Sequence, residues 1–285
     1  MLDGRSTCRT PTAPLEPTNP EFPVRTPLVL TAALASALLL SSCGGGSDAA
    51  KGSSGSDSSG VLRVATEGTY SPFSFHDPKT NKLTGYDVEV AQAVGKQLGK
   101  KVEFSETQFD AIFAGLEAKR YDVIANQIGV NPDRQAKYLF STPYTYSNGV
   151  VITRADDNSV HSLADIKGKT SAQSTTSNFA QTATDAGAKI EAVEGFTQAI
   201  TLLKQSRVDV TVNDSLAFLE YQKTTGDQDV KIAAEIDDQS QSAFAFRKDE
   251  TDLQTQVDGA LEQLEADGTL AQLSEKYFGE DVSAE

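Results

Sequence analysis

From residue 61 onward, short β-rich runs alternate with amphipathic helical runs, and this rhythm narrows the possible folds more than any other feature. "VLRVAT" (61–66) reads as a strand. "YDVEVAQAVGKQLG" (86–99) reads as a helix with Val88, Ala91, Val94 and Leu98 on one face, and Gly99 supplies a stop. "KVEFSE" is a strand, "FDAIFAGLEAKR" a helix and "YDVIANQ" a strand. "NPDRQAKY" opens a further helix, with Asn131 as N-cap and Pro132 in the first turn. The alternation continues through "SLADIKG", "KTSAQS", "SNFAQTATDAG", "KIEAVE", "FTQAITLLKQSR", "VDVTVN" and "DSLAFLEYQKT". "SAFAFRKD" is a strand, and a long helical tail follows from "ETDLQ" to "YFG". The expected architecture is α/β layers with largely parallel strands. Two β-rich stretches, 142–157 and 242–250, suggest a chain that crosses twice between two lobes. A single doubly wound sheet fits the same pattern.

The start of the chain is different in kind. "PLVLTAALASALLL" (27–40) is apolar and uncharged, and its 14 residues are too few for a spanning helix. It fits the apolar region of a secretory signal, with Arg25 just before it. Asp3, Glu16 and Glu21 make the region upstream untidy, as if the true start codon lay further along. Leu40, Ser41, Ser42 and Cys43 resemble the lipobox of bacterial lipoproteins. That resemblance implies cleavage before Cys43 and a diacylglyceryl group on its thiol, which anchors stably because two acyl chains are buried. A secreted soluble protein with a chance cysteine is the rival reading. Residues 43–60 are nearly all Gly, Ser, Asp, Ala and Lys, the composition of a flexible tether.

Charge and composition exclude several functions for the rest. The formal net charge is −15, so no broad basic surface is available for nucleic acid. Beyond Cys43 there is no thiol, and His76 and His161 stand far apart in sequence. A zinc site or a cysteine nucleophile is therefore not expected. No cofactor, metal or catalytic residue is expected either.

Three segments then resemble a known family. They are "GTYSPFSFHDPKTNKLTGYDVEVAQAVGKQLG", "FDAIFAGLEAKRYDVIANQIGVNPDRQAKYLFSTPYTYS", and the set "SLADIKGKTSAQSTTSNFA", "RVDVTVNDSLAF" and "LEADGTLAQLSEKYFG". In order, over 61–280, they resemble the polar amino-acid-binding proteins of ABC importers. "ATEGTY", "ANQIGVNPDR" and "AQSTTSN" are most like the cystine-binding lipoproteins. The resemblance implies the type II periplasmic-binding-protein fold, with two α/β lobes joined by two hinge strands. Lobe 1 would comprise 61–147 and 244–285, and lobe 2 148–243. It implies a monomer that binds an amino acid, cystine by preference. The partners would be an ABC permease with its ATPase, and the membrane through Cys43.

The residues can be read physically beside that resemblance. Arg134 offers a planar fork for a ligand carboxylate, unless it is only a surface arginine of its helix. Thr175, Thr176 and Ser177 offer hydroxyls and backbone donors at a helix start, where an anion is favoured. Their rival reading is an ordinary cap formed by Ser174 or Thr175. By resemblance, Thr176 meets the carboxylate from the second lobe and Asp214 meets the ammonium. Asp214 also stands where it would N-cap the next helix. Gln127 and Gly129 align with positions that complete the ammonium site, and Tyr70 and Phe109 with aromatic walls against the ligand. Phe73 and Phe75 read as core. Glu67 falls where related proteins carry an acid for a distal cation; otherwise it is a solvated turn carboxylate. Arginine, histidine and glutamine remain alternative ligands. Cyclohexadienyl dehydratases resemble the same family, and in that reading Glu67 would be a proton donor.

Overall fold

The computed structural model describes residues 60–284. The signal segment, Cys43 and nearly all of the tether lie outside the described residues. The chain begins with β1 (Val61–Thr66), β2 (Thr69–Tyr70), β3 (Ser74–His76), β4 (Leu83–Thr84), α1 (Tyr86–Gln97), β5 (Lys101–Glu106) and α2 (Phe109–Glu117). It continues with β6 (Val123–Gly129), α3 (Pro132–Lys137), β7 (Tyr138–Phe140) and β8 (Thr145–Arg154). A 3-10 turn at Leu163–Ile166 leads to β9 (Thr170–Gln173), α4 (Asn178–Asp185), β10 (Lys189–Ala192), α5 (Phe196–Lys204), β11 (Val210–Asp214) and α6 (Ser215–Thr225). The last elements are β12 (Val230–Arg247), α7 (Thr251–Ala266) and α8 (Thr269–Phe278).

The main sheet runs in the order β10-β9-β11-β8-β12-β6-β1-β5, with β7 paired to β12, and β2, β3 and β4 form a small separate sheet. β1 pairs in parallel with β5 and β6, and β9 in parallel with β10 and β11. These are the two α/β lobes. β8 and β12 join them: β12 pairs antiparallel with β8 at one end and with β6 and β7 at the other. The ladder between β8 and β12 slips between Glu235 and Gln239, which places a bulge where the strands pass between lobes.

Strand periodicity decides which helix covers which face. Leu62, Val64, Val123 and Ala125 pack toward α1, α7 and α8, with Val90, Val94, Val257 and Leu261. Ala65 and Ile124 point the other way and meet Ile112 and Leu116 of α2. Full burial of a side chain of that size contributes about 1.5–3 kcal/mol. In the second lobe, Val151, Val210 and Val212 pack toward Ala183 of α4.

Three local expectations change. The helical tail is two helices, because Gly268 takes a left-handed φ of 77° between them. "SLADIKG" forms only the 3-10 turn. The strand expected at "SAFAFRKD" is the C-terminal part of an 18-residue strand that starts at Val230.

Candidate functional site

α3 starts as the sequence predicts. Asn131 Oδ1 accepts from Arg134 N at 2.9 Å, and Pro132 occupies the first turn. This fixes Arg134 with its side chain turned inward, only 8% exposed. Its guanidinium donates to the Gly129 carbonyl (2.9 Å) and, across the cleft, to the Thr176 carbonyl (3.0 Å). Its Cζ lies 5.8 Å from the Phe109 ring centroid and 5.3 Å from that of Phe113. Burial pushes its pKa down to about 10, so it stays charged at neutral pH. Among the described residues no carboxylate forms an ion pair with it. A desolvated guanidinium held only by carbonyls and ring faces is a strong receiver for a carboxylate.

The opposite lobe meets it at 175–177. The cap of α4 is Ser177, whose Oγ accepts from Phe179 N at 3.1 Å, and neither Ser174 nor Thr175 fills that place. Thr175 and Thr176 each donate a backbone N–H and a hydroxyl to Asp110, at 2.7–3.1 Å. Those donors hold an anion, as a helix start favours, and the anion is a side chain of the facing lobe. Desolvation works against ionised Asp110, but the four hydrogen bonds outweigh it and hold its carboxyl below the usual range.

Negative charge gathers further along the cleft. Asp214 ends β11 and caps α6: one oxygen accepts from Leu216 N (2.9 Å), the other from Ser147 Oγ (2.5 Å). The capping role is therefore real, and it uses only one oxygen. Burial raises the Asp214 pKa to about 6. Glu67 follows β1 and is tied to Asn126, whose Nδ2 donates to Glu67 Oε2 (2.7 Å) and whose Oδ1 accepts from Glu67 N (2.8 Å). Desolvation lifts Glu67 to about 7 despite the Asn126 bond, and the charge of Asp110 adds to the rise. It is not a solvated turn carboxylate. A Cβ on Gly195 of the second lobe would stand 3.8 Å from its Oε1. Among the described residues neither Asp214 nor Glu67 has a cationic partner.

Tyr70 spans the cleft, its hydroxyl donating to Asn213 Oδ1 at 2.7 Å. Desolvation, then the charges of Asp214, Glu67 and Asp87, push the Tyr70 hydroxyl far above its ordinary pKa. Phe73 is fully buried beneath it, with ring centroids 5.0 Å apart, whereas Phe75 on β3 is only half-buried. Gly129 is a glycine for space: a Cβ there would lie 3.3 Å from the Asn178 side chain across the cleft. Gln127 sits in the left-handed region at φ 47°, with its side-chain amide donating to Asp87 and Thr145.

Phe109, Gly129, Arg134 and Thr176 thus form one contiguous cluster, and Glu67, Tyr70 and Asp214 a second, acidic one. Ser177 serves its own helix and Thr175 serves Asp110. Sequence reasoning missed Asp110, Asn126 and Asn213, each a direct neighbour of a residue it named: Phe109, Gln127 and Asp214. It also missed the buried Asp87.

Residues 62–280 match the family of bacterial extracellular solute-binding proteins, family 3. The L-cystine-binding protein TcyA of Bacillus subtilis is 52% identical over 252 residues, covering 86% of this chain and 94% of its own. The L-cystine solute receptor of Neisseria gonorrhoeae, solved unliganded and open, is 46% identical, covers 79% of this chain and 95% of its own, and superposes with a TM-score of 0.54. An ancestral arginine-binding protein bound to arginine is only 35% identical, covering 77% of this chain and 99% of its own, yet it superposes at 0.72. Tyr70, Asp110 and Arg134 each make a hydrogen bond across the cleft. In sequence over nearly all its described length, and in the architecture of its cleft, this chain belongs to the bacterial extracellular solute-binding proteins, family 3.

Proposed function

We propose that the protein is the extracytoplasmic receptor of an ABC amino-acid importer and that its ligand is cystine. One observation carries the reading: among the described residues a buried cation without an anion, Arg134, shares a cleft with two carboxyls without a cation, the buried Asp214 and the half-buried Glu67. A ligand with a carboxylate, an ammonium and a second ammonium answers all three. Arg134 takes the carboxylate with Thr176, and Asp214, Gln127 and Gly129 take the first ammonium. Glu67 faces the distal head, while Tyr70 and Phe109 flank the linker. The likeness to a cystine-binding relative at 52% identity supports cystine over other polar amino acids. The lobes divide as 61–147 with 244–285, and 148–243, and the receptor acts as a monomer that hands its ligand to a permease driven by an ATPase. Cys43 anchors it to the outer face of the membrane; Cys43→Ser is expected to release it to the medium or leave it unprocessed, and unchanged membrane fractionation refutes the anchor.

Calorimetric titration of the domain with cystine, arginine, histidine, glutamine and glutamate tests the ligand. Cystine is expected tightest and glutamate weakest, because the distal carboxylate of glutamate meets Glu67 with no ammonium beside it, whereas the distal head of cystine brings one. Tighter arginine removes the cystine assignment and keeps the receptor. A second reading rests on the Glu67 pKa near 7, which suits a general acid. Turnover of prephenate or arogenate by the purified domain would establish that reading; the uncompensated charge pattern favours binding without chemistry.

A further inference from the structure

Asp87 is fully buried in the first turn of α1, and no cation approaches it among the described residues. A carboxylate in that position is costly unless hydrogen bonds compensate. Its Oδ2 accepts the backbone N–H of Gln127 at 2.7 Å. Its Oδ1 accepts the Gln127 side-chain amide at 2.9 Å and the Tyr144 hydroxyl at 3.0 Å. Two of its three hydrogen bonds therefore go to a single residue of β6.

β6 is irregular at that residue. Its pairing with β12 jumps from Ile128↔Ala243 to Ile124↔Ala245, so the ladder breaks around Asn126 and Gln127. Gln127 adopts a φ of 47°, unfavourable for a residue with a side chain. A bulge of this kind re-aims side chains and recurs beside binding sites. Here Asn126 turns to Glu67, and Gln127 turns to Asp87 and to Thr145 Oγ1 (3.1 Å) at the start of β8. With its amide nitrogen so engaged, Gln127 Oε1 is left buried with no hydrogen-bond partner. A buried acceptor with both its backbone and its amide group fixed is poised for an incoming N–H donor.

We infer that Asp87 is a positioning residue for the ligand site: it holds the bulge of β6 so that Gln127 Oε1 faces the ligand ammonium and Asn126 holds Glu67. The inference rests on the amino-acid reading above. Only a carboxylate fits the role, because both oxygens face N–H or O–H donors. An asparagine would turn its own amide hydrogens against one of the Gln127 donors.

The experiment is a double-mutant cycle on the domain, titrated with cystine. Asp87→Asn and Gln127→Ala are each expected to weaken binding about tenfold or more, the loss of one hydrogen bond to a charged group. If Asp87 acts through Gln127, the combined variant loses less than the product of the two single losses, the part beyond Gln127→Ala being the backbone bond that alanine keeps. Losses that multiply, or Asp87→Asn binding within threefold of wild type, overturn the inference. Should Asp87→Asn fail to fold, Gln127→Gly is added to it, since glycine accepts the left-handed backbone. Restored folding supports a carboxylate that serves the bulge, and no restoration overturns it. Wild type and Arg134→Ala are titrated alongside. If wild type binds no amino acid of the panel, the receptor reading itself falls. If wild type binds and Arg134→Ala does not while Asp87→Asn is unaffected, only the positioning role is lost.

Discussion

The two ends of the cleft are electrostatic opposites built by different means. At one end Arg134 is a lone cation against Phe109 and Phe113, its hydrogen bonds spent on carbonyls. At the other, Asp214 and Glu67 are anions supported by neutral donors, Ser147, Leu216 N and Asn126. The fold could have paired these charges with one another and instead keeps them apart. A folded protein carries such uncompensated charge at a cost to stability, so the difference marks what the site awaits: a ligand that brings both a carboxylate and ammonium groups.

The largest effect is expected at the cation. Arg134→Ala is expected to cost about 2–5 kcal/mol of binding, a loss of roughly thirtyfold or more, with the fold intact by circular dichroism. Affinity within threefold of wild type would remove Arg134 from the site. Arg134→Lys should bind poorly too, since an ammonium lacks the planar fork. At the anionic end, Asp214→Asn is expected to weaken every ligand with a free α-ammonium by about 1.5–3 kcal/mol, measured by the same titration. A lower melting temperature with unchanged affinity would leave only the capping role.

Acid should act in opposite directions on binding and stability. Desolvation raises the carboxyl pKa values of the half-buried Glu67 and the buried Asp87 to about 7, and that of the buried Asp214 to about 6. The native state therefore binds these protons more readily than the unfolded chain, and stability falls as pH rises from about 4 to 7. The ligand-free domain should melt higher at pH 5 than at pH 7.5, while cystine affinity drops over the same acidification because the ammonium partners become neutral. Glu67→Gln should flatten part of that profile and weaken cystine and arginine several-fold, leaving a short neutral amino acid almost unaffected. Equal weakening of all ligands would make Glu67 a support for the Tyr70 loop. The smallest effect is expected at Asp110. Asp110→Ala removes exposed hydrogen bonds between the lobes, worth about 1 kcal/mol in total, or about fivefold in affinity for every ligand alike. A change in ligand ranking would instead give Asp110 a part in selection.

Much of this was legible in the sequence where the cause is local. Asn131 and Pro132 announce α3 and so place Arg134, and strand alternation separates Val64 from Ala65. The missing parts have causes that lie far along the chain. Residues 230–241 carry a strand with several half-exposed positions, and it is the partner strand β8 that makes it one. Asp110 reads as an ordinary first-turn acid, and its partners stand 65 and 66 residues away. Asp87 has the same appearance, and only its burial under the bulge of β6 reveals a different purpose.

The bulge between Glu235 and Gln239 bears on how the protein is read by deuterium. Three residues of β12, 236–238, there face the single Gly149 of β8 and stand outside the regular ladder. The lobes can swing about this point while the flanking pairs, Ile232↔Ile152 and Ser242↔Thr145, stay joined. Amides at 236–238 should therefore exchange within seconds whatever the ligand, bracketed by slow ones on the same strand. Ligand should slow exchange at Thr175 and Thr176, whose N–H groups open to water whenever the cleft parts. A single strand would then report two clocks, one for the crease and one for the fabric on either side of it.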